Sequence, residues 1–385
     1  MTARKKVCIV ATVPFALRVF MLAHIQMLAE KYDVTLIANQ SAAEGALIFG
    51  DHIRIIDVNI ARPISLRSDL SALWRLYRIF KVHKFDAVHS LMPKAGLLAM
   101  LAAFGSRVPN RVHTFTGQVW ANKTGLGRQL LKMLDRLIAA CATNLLTDSF
   151  SQRQFLIDNK IVPSHKIHVL GNGSVCGVDM QRFRPNSVAR GAIREQLAIP
   201  EEAIVLLFLG RLNPDKGISD LAQAFAHLWL RVPTTYLLLV GPDEGEMDCA
   251  VQKILANNDA LSNYRRVGYT AEPENYMASA DVFCLPSYRE GFGSVIIEAA
   301  AVGLPAVASN IYGITDAVEN GETGLLHEVK DIVAIQDALF KIVTDKKRRS
   351  QLAMKARTRA SDYFSQPIIV NEMRMFYQRM FASDY

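Results

Sequence analysis

The stretch AIVLLFLGRLNPDKGISDLAQAFAHLWL, residues 203–230, indicates which class of fold the sequence predicts. Its first eight residues form an apolar run that ends in glycine, which is typical of a strand buried on both faces. A polar loop follows, and apolar residues then recur at helical spacing. The run TYLLLVG begins at residue 235, at the distance expected of the next strand in a βαβ unit. We therefore predict a parallel sheet with helices packed on it.

The same alternation extends along the whole chain of 385 residues. The first half contains six strand-like runs: KVCIVAT, DVTLIAN, IRIIDV, DAVHS, RVHTFT and TNLLTDS. Stretches with helical apolar spacing lie between them, at 19–31, 69–83, 96–103 and 128–140. The second half adds RRVGYT, DVFCLPS, PAVAS and GLLHEV.

The two halves are separated near 171–186 by the glycine-rich stretch GNGSVCGVDMQRFRP, which we interpret as a linker. We expect two doubly wound parallel-sheet domains of the α/β class, spanning 1–183 and 187–365. In such folds a ligand binds at the carboxyl ends of the strands. The sequence therefore predicts a ligand cleft between the two domains.

The composition is that of a globular chain, with 50% apolar and 21% charged residues. Its five cysteines are scattered and include no C-x-x-C, which argues against a disulfide framework or a zinc site and fits a reducing cytoplasm. The start MTARKKVCIVATVPFAL imitates a signal peptide, but we interpret it as the first buried strand. No apolar run approaches the ~18 residues of a transmembrane helix, so we expect a soluble or peripheral protein.

The charge is divided unevenly between the halves. Residues 1–186 hold 24 Lys and Arg against 11 Asp and Glu, whereas residues 187–385 hold 20 against 25. A basic first half predicts an anionic partner: nucleic acid, a phospholipid surface or a diphosphate-bearing substrate. The alternative is a surface charge that only keeps the protein soluble. Nucleic acid is disfavoured, because the basic residues are not interleaved with aromatic ones.

The loop GRLNPDKG places Gly210, Arg211 and Lys216 at the carboxyl edge of the second sheet. An Arg can fork onto phosphate oxygens and a Lys adds a compact positive charge, so the two could hold a diphosphate without a metal. The alternative is a pair of exposed cations flanking a turn. The sequence contains no D-x-D and no His/Asp cluster at metal-ligand spacing, so we expect no metal or other cofactor. The absence of a Walker A motif, of G-x-S-x-G and of G-x-G-x-x-G after a strand disfavours ATPases, lipases and dinucleotide enzymes.

The stretch REGFGSVIIEAAAVGLP, residues 289–305, carries two glutamates, Glu290 and Glu298, beside a predicted helix start at Ser294. The glycines allow close backbone approach, and a helix N-terminus is a seat for phosphate. Glu298, one turn into the helix, could hold ribose hydroxyls, and Glu290 could hold hydroxyls of a sugar on the diphosphate. For Glu298 the alternative is complementarity to the helix dipole. An acid/base pair is less convincing, because nothing nearby in sequence separates the two pKa values.

Several polar residues of the first half are candidates for the opposite side of the site. His113 ends a strand and would face the cleft, with a buried, hydrogen-bonded histidine as the alternative. The helix GRQLLKMLDRLIAA is cationic and amphipathic, and it could lie on an anionic membrane or expose a solvated basic face. We assign these residues to the acceptor or membrane side: Arg18, Ser90, Lys94, Lys123, Arg128 and Lys132.

These motifs together resemble family 4 glycosyltransferases. EGFGSVIIE resembles their E-x7-E motif, GRLNPDKG their G-R-L-x(n)-K-G, and VGYTAEPENYMASADVFCLPS their nucleotide-base loop. The resemblance implies a GT-B fold of two Rossmann-like domains with a C-terminal helix, about 366–385, that crosses back to the first. It also implies metal-independent transfer from a nucleotide sugar with retention of anomeric configuration.

The resemblance also implies a role for each matching residue. Arg211 and Lys216 would hold the donor diphosphate and Glu298 the ribose. Gly268 and Tyr269 would back the nucleobase, and His113 would contact the sugar near its primary hydroxyl. Glu290 and the backbone of Gly291, Phe292 and Gly293 would hold the transferred sugar and phosphate, and Ser294 would also bind the donor. The stretch TVPFALR lacks the glycine pair common in the family, which weakens any phosphate contact there and leaves part of that role to Arg18.

Three first-half stretches, HSLMPKAGLLAMLAA, HTFTGQVWANKTG and GNGSVCGVDMQRF, resemble a bacterial subgroup that builds O-antigen, capsule and N-glycan oligosaccharides. The resemblance implies an acceptor sugar on undecaprenyl diphosphate at the inner face of the plasma membrane. It favours N-acetylgalactosamine from UDP-GalNAc as the transferred sugar. The alternatives are a GDP-deoxyhexose donor, or a soluble transferase with a small acceptor such as inositol phosphate or malate.

Overall fold

The structure is a computed structural model that describes residues 4–40, 53–61 and 65–382. The chain forms two compact units: Met1–Cys176 together with Gln366–Tyr385, and Gly177–Ser365. The division after Cys176 falls inside the predicted linker, earlier than the expected end of the first domain at residue 183. Both units contain an entirely parallel sheet with helices, and the predicted α/β fold class is confirmed.

The first unit contains a seven-stranded sheet in the order β3-β2-β1-β4-β5-β6-β7. The strand order reverses between β1 and β4, where Val7 pairs with Ala87, so this is a doubly wound sheet. The short seventh strand was not predicted. The strands are β1 Lys6–Val10, β2 Asp33–Ala38, β3 Arg54–Asp57, β4 Ala87–Leu91, β5 Asn110–Phe115, β6 Asn144–Thr147 and β7 Ile167–Val169.

Six helices of the first unit follow these strands. The single helix expected at 19–31 is in fact two helices, because the backbone leaves helical geometry at Met21, with φ −120° and ψ −4°. The fourth helix packs between the third and the fifth and also contacts the sheet. The helices are α1 Pro14–Phe20, α2 Leu22–Ala29, α3 Leu66–His83, α4 Pro93–Gly105, α5 Gly125–Cys141 and α6 Phe150–Asp158.

The second unit contains a six-stranded sheet in the order β10-β9-β8-β11-β12-β13. Its order reverses between β8 and β11, where Val282 pairs with Leu206. Loops that follow these two central strands therefore meet at the switch point, where doubly wound sheets bind ligands. The strands are β8 Ile204–Leu209, β9 Thr235–Val240, β10 Tyr264–Val267, β11 Val282–Leu285, β12 Ala306–Ser309 and β13 Gly324–His327.

The helices of the second unit cover a core of buried aliphatic and aromatic residues. Short 3₁₀ turns at Pro214–Lys216 and Leu261–Asn263 interrupt two of the connections. The α-helices are α7 Ser187–Gln196, α8 Ile218–Trp229, α9 Met247–Ala256, α10 Pro273–Ser279, α11 Ser294–Val302, α12 Ile314–Ala317, α13 Ile332–Thr344 and α14 Lys346–Phe364.

The last helix, α15 Gln366–Ala382, belongs to the first unit, which confirms the predicted return of the chain. It packs against α2, and its Tyr377 is fully buried. The Tyr377 hydroxyl lies 2.9 Å from Nδ1 of His89, which anchors the helix to strand β4. Residues 383–385 of the predicted helix lie outside the described residues. No helix in the described ranges is long and apolar enough to cross a membrane.

Candidate active site

Two loops of the second unit are held together at its switch point. Gly217, with φ +64°, lies so close to the loop after β11 that a Cβ would stand 2.1 Å from the carbonyl oxygen of Pro286. The backbone N–H of Tyr288 donates to the carbonyl oxygen of Asp215 at 2.8 Å. A side chain at position 217 would separate the loops, because both its backbone conformation and this contact favour glycine. The predicted motifs GRLNPDKG and REGFG are therefore neighbours in space.

The contact between the loops brings Lys216 and Glu290 into an ion pair. Nζ of Lys216 lies 2.5 Å from Oε1 of Glu290, and the two side chains are 20% and 14% exposed. An ammonium group has three donors, so Lys216 can donate to Glu290 and to a phosphate at the same time. Glu290 keeps a second oxygen for a hydroxyl donor. The residues predicted for the diphosphate and for the sugar thus share one polar centre.

Arg211 lies on the same loop but in a different environment. Its guanidinium is 60% exposed and donates from Nη1 to Oε2 of Glu244 at 2.9 Å. An exposed pair of this kind contributes little to stability, so the guanidinium can exchange partners readily. Gly210 precedes it with φ +155°, and its N–H donates to the carbonyl oxygen of Val240. Arg211 is therefore a mobile cation at the rim of the Lys216–Glu290 centre.

The N-terminus of α11 adjoins this centre. Gly293, with φ +75°, precedes the helix, and no side chain caps its first turn. Gly313 supports the preceding loop, since a Cβ there would lie 2.4 Å from the carbonyl oxygen of Gly291. A helix start without a side-chain cap leaves backbone N–H groups for an anion. Ser294 begins this first turn and is partly exposed.

Phe292 lies in the stretch Gly291–Gly293, whose backbone is predicted to hold the transferred sugar and phosphate. Its side chain is 2% exposed and packs edge-on against Phe364, with ring centroids 5.3 Å apart. Because the ring belongs to the core of the second unit, only the backbone of this residue can reach a ligand.

Glu298 lies in the second turn of α11, beyond the reach of simple dipole complementarity, and it is partly exposed. Burial raises its pKa to about 7, Arg182 lowers the pKa and Glu274 raises it further. Among the described residues, no donor is hydrogen-bonded to this carboxylate. Glu290, in contrast, is paired with Lys216, so the two glutamates have different surroundings. A carboxylate without a partner, beside a helix start, is available to hydroxyl donors.

Arg182 was not identified from the sequence. Its guanidinium pairs with Glu274 at 2.8 Å and donates to the carbonyl oxygen of Ala271 at 2.7 Å. It thereby joins the region of Glu298 to the segment that follows β10. The only signal in the sequence was a lone basic residue within the linker stretch GVDMQRF.

The segment after β10 carries Gly268 and Tyr269. The N–H of Gly241 donates to the carbonyl oxygens of Val267 and Gly268, at 3.0 and 3.1 Å, which holds the start of the segment against β9. A Cβ at Gly268 would meet no atom within 4 Å, and Tyr269 is 71% exposed. The two residues offer an open surface at the same edge of the sheet as Lys216 and α11.

His113 is not where the sequence placed it. The side chain is 1% exposed, and Nδ1 lies 2.9 Å from Oγ of Ser90, which is also buried. Helix α4 covers the ring so closely that a Cβ at Gly96 would lie 2.3 Å from its Cε1 atom. Burial lowers the pKa of His113 to about 3. The expectation of a cleft-facing side chain is wrong, and the buried, hydrogen-bonded alternative is what the structure contains.

The basic face of α5 also requires a correction. Lys132 is 9% exposed, donates to Oδ1 of Asn159 at 3.0 Å, and lies over the ring of Trp120. Arg136 donates to the carbonyl oxygen of Lys160 at 2.9 Å, just beyond the end of α6. Arg128 lies over Trp120 as well. Arg136 stays exposed and Arg128 is partly exposed, so Lys132 alone of these three cations is turned inward.

The remaining candidates of the first unit are Lys94, Arg18 and Lys123, which lie outside helix α5. Lys94 pairs with Asp69 at 2.6 Å and ties α4 to α3. Arg18 is partly exposed on α1, and Lys123 is exposed in the loop before α5. Within the described ranges, no group of three or more His, Cys, Asp or Glu side chains is arranged to hold a metal ion.

Comparison with known proteins finds family models and relatives that match most of the chain. The model of glycosyl transferases group 1 matches residues 189–359, and that of a glycosyl transferase 4-like domain matches residues 18–173. The capsular polysaccharide biosynthesis glycosyltransferase CapM of Staphylococcus aureus is 31% identical over 323 residues, 83% of each chain. The UDP-Gal:α-D-GlcNAc-diphosphoundecaprenol α-1,3-galactosyltransferase of Escherichia coli is 30% identical over 326 residues, 82% of this chain and 81% of that one.

A solved structure confirms the fold. Sucrose-phosphate synthase from Thermosynechococcus elongatus is similar with a TM-score of 0.83, over 99% of this chain and 100% of that one. The identity of 22% restricts this likeness to the fold. It agrees with the predicted GT-B arrangement of two Rossmann-like domains.

Proposed function

The chain belongs to the group 1 glycosyltransferases, and on this premise we propose that it moves a hexose or N-acetylhexosamine from a nucleotide sugar to a sugar on undecaprenyl diphosphate. The product would be an intermediate in the assembly of a surface polysaccharide. The observation that carries the proposal is the Lys216–Glu290 pair beside the uncapped start of α11. It combines a cation, hydroxyl-accepting oxygens and backbone donors at one switch point.

The cationic groups match the charge that develops when a nucleotide sugar reacts. Cleavage of the bond to the anomeric carbon leaves negative charge on the diphosphate of the departing nucleotide. Lys216 and the first N–H groups of α11 can stabilise this charge from fixed positions, and the exposed Arg211 can turn towards it. We propose that these groups suffice without a metal ion.

The carboxylates have binding roles in this proposal. The free oxygen of Glu290 holds hydroxyls of the transferred sugar, and the unpartnered carboxylate of Glu298 holds the ribose. Gly268 and Tyr269 provide the surface for the base. The departing phosphate takes the proton of the acceptor hydroxyl on the face it leaves, so the new bond forms with retention of configuration. The protein contributes positioning and electrostatic stabilisation.

The acceptor and donor are proposed from the relatives. One relative is named for capsule synthesis, and the other for a UDP-Gal donor and a diphosphoundecaprenol-linked GlcNAc acceptor. Together with the subgroup stretches, these names support a UDP-sugar of the galactose type, with UDP-GalNAc as the first choice. They also support a membrane-borne acceptor, and therefore work at the inner face of the plasma membrane.

The test is transfer from a panel of nucleotide sugars to a synthetic polyprenyl-diphosphate GlcNAc acceptor. The panel contains UDP-GalNAc, UDP-Gal, UDP-GlcNAc, UDP-Glc, GDP-mannose and GDP-fucose, each with and without EDTA. We expect transfer from a UDP-sugar of the galactose type, an α-linked product by NMR, and rates that EDTA leaves unchanged. Transfer only from a GDP-sugar, a β-linked product or a strict requirement for added metal would contradict the corresponding part of the proposal.

A further inference from the structure

Helix α5 exposes a row of apolar side chains, with the exposed Arg136 on the same helix. Leu126, Leu130, Met133 and Leu137 are 90%, 54%, 55% and 39% exposed. They recur at helical spacing and so lie on one side of the helix. Helix α5 thus carries apolar residues on its outer side as well as Ile138 and Ala139 in the core, whereas an ordinary surface helix has a polar outer side. Nothing in the packing of the described first unit accounts for it.

Helices α4 and α3, which pack in turn beside α5, also expose apolar side chains. Phe104 of α4 is 58% exposed, and Leu66, Leu70 and Trp74 of α3 are 78%, 65% and 60% exposed. Tyr77 of α3 lies against the end of α4, since a Cβ built at Gly105 would lie 3.6 Å from its ring. We refer to the following residues as the apolar three-helix face: Leu66, Leu70, Trp74, Tyr77, Phe104, Leu126, Leu130, Met133 and Leu137.

The charges on these helices complement an anionic surface. The α3 helix exposes Arg67, Arg75, Arg78 and Lys81. The three helices contain two acids, and neither is free: Asp69 pairs with Lys94, and Asp135 accepts a hydrogen bond from Trp120 at 2.7 Å. Exposed leucines, an exposed tryptophan and unopposed cations on one surface are typical of proteins that lie in the interfacial layer of a membrane.

We propose that the apolar three-helix face inserts into the headgroup layer of an anionic lipid bilayer, with the α3 cations on lipid phosphates. The proposal rests on the proposed function only for its biological setting, because a lipid-borne acceptor must be met at a bilayer. A second copy of the chain is the poorer occupant. Two such faces in contact would oppose their arginines and bury like charges.

Binding to vesicles tests the proposal without any substrate. We expect the chain to sediment with vesicles of phosphatidylcholine containing about one third phosphatidylglycerol. The variant Leu126→Gln/Leu130→Gln/Met133→Gln should bind at least about tenfold more weakly. The matched control is Leu230→Gln/Val333→Gln/Met354→Gln, whose residues are 63%, 66% and 65% exposed in the second unit and scattered over three places. This control should bind like the wild type.

A second readout reports insertion directly. Brominated acyl chains should quench the fluorescence of Trp74, and Trp74→Phe should abolish that quenching because Trp120 is buried and Trp229 lies in the second unit. Binding that survives the three glutamines, or that Leu230→Gln/Val333→Gln/Met354→Gln weakens equally, would overturn the proposal. So would a dimer in ultracentrifugation that the three glutamines dissociate. Transfer to a short-chain soluble acceptor should persist in the glutamine variant, so a failure of vesicle binding is distinct from a failure of the proposed activity.

Discussion

The carboxyl edges of the two sheets differ in chemistry although their topologies are alike. In the second unit the edge carries charged, partly exposed groups, of which the Lys216–Glu290 pair is the centre. In the first unit the corresponding strands carry buried histidines: His89 is bonded to Tyr377 and Thr114, and His113 to Ser90. The same architecture therefore supports a charged binding edge in one unit and neutral, buried histidines behind the corresponding edge in the other. The first unit instead exposes apolar side chains on helices α3, α4 and α5, with cations on α3.

The first prediction, with the largest expected effect, is that the first unit loses stability in acid because of its buried histidines. Burial lowers the pKa of both His89 and His113 to about 3, below the ordinary value of 6.5. The unfolded chain therefore binds protons that the folded unit does not, and stability is lost as pH falls from about 6.5 towards 3. At about pH 4 the loss is roughly 3 kcal/mol for each histidine.

Urea unfolding between neutral and acidic pH, followed with probes in each unit, measures this loss. The first unit should lose stability more steeply than the second. His113→Asn should be less stable at neutral pH but should show a shallower pH slope. Equal slopes for the wild type and this variant would mean that His113 titrates normally in the folded chain.

The second prediction concerns the charged edge. Lys216→Ala should lower kcat about 100-fold or more, as loss of a preorganised donor to a developing anion does. The matched control is Lys355→Ala, which breaks another Lys–Glu pair of the same unit, with Glu322, far more exposed at 52% and 51%. Steady-state rates of the control should stay within about twofold, as expected for an exposed pair. If both variants lost activity alike, the effect would be structural and the diphosphate role of Lys216 would fail.

The fold was more predictable than the orientation of its parts. Buried runs such as AIVLLFLG predict strands, because seven apolar residues followed by a glycine and a loop are too few for a typical buried helix. The three-residue strand β7 has too little pattern to recognise, and the break at Met21 leaves no proline or glycine as a signal.

The candidate site shows the same limit. Loop motifs placed Lys216 and Glu290 correctly at one edge, but their direct pairing depends on the close approach of Gly217 to Pro286. For α5, periodicity indicated an amphipathic helix but not which face is buried. That choice depends on contacts with Trp120, in the loop before α5, and with the end of α6. The spacing of apolar residues within α5 does not report these contacts.

The third prediction tests how tightly the buried ring of His113 is packed against helix α4. Gly96→Ala places a Cβ 2.3 Å from the His113 ring, so the ring or helix α4 must shift. We expect a loss of about 2 kcal/mol in the free energy of unfolding. The control is Gly191→Ala in α7, where a Cβ meets no atom within 4 Å and a helical alanine should add about 0.5–1 kcal/mol. Equal shifts in Tm for the two variants would show that His113 has room to move.

The fourth prediction returns to the charged edge and has the smallest expected effect. Burial raises the pKa of Glu298 to about 7, so the carboxylate that would accept ribose hydroxyls is fully formed only above that pH. UDP binding should therefore strengthen as pH rises through about 7. Glu298→Gln should bind UDP about tenfold more weakly at high pH, as loss of a hydrogen bond to a charged group does. Its affinity should no longer follow that titration.

Calorimetric titration with UDP at several pH values separates these outcomes, with Glu202→Gln, an exposed glutamate of the same unit, as control. The control should match the wild type at every pH. A Glu298→Gln variant that binds UDP as tightly as wild type at high pH would exclude the ribose role. If its affinity were lower but kept the wild-type pH profile, the titrating group would lie elsewhere, and the contrast between the two edges would then rest on Lys216 and Glu290 alone.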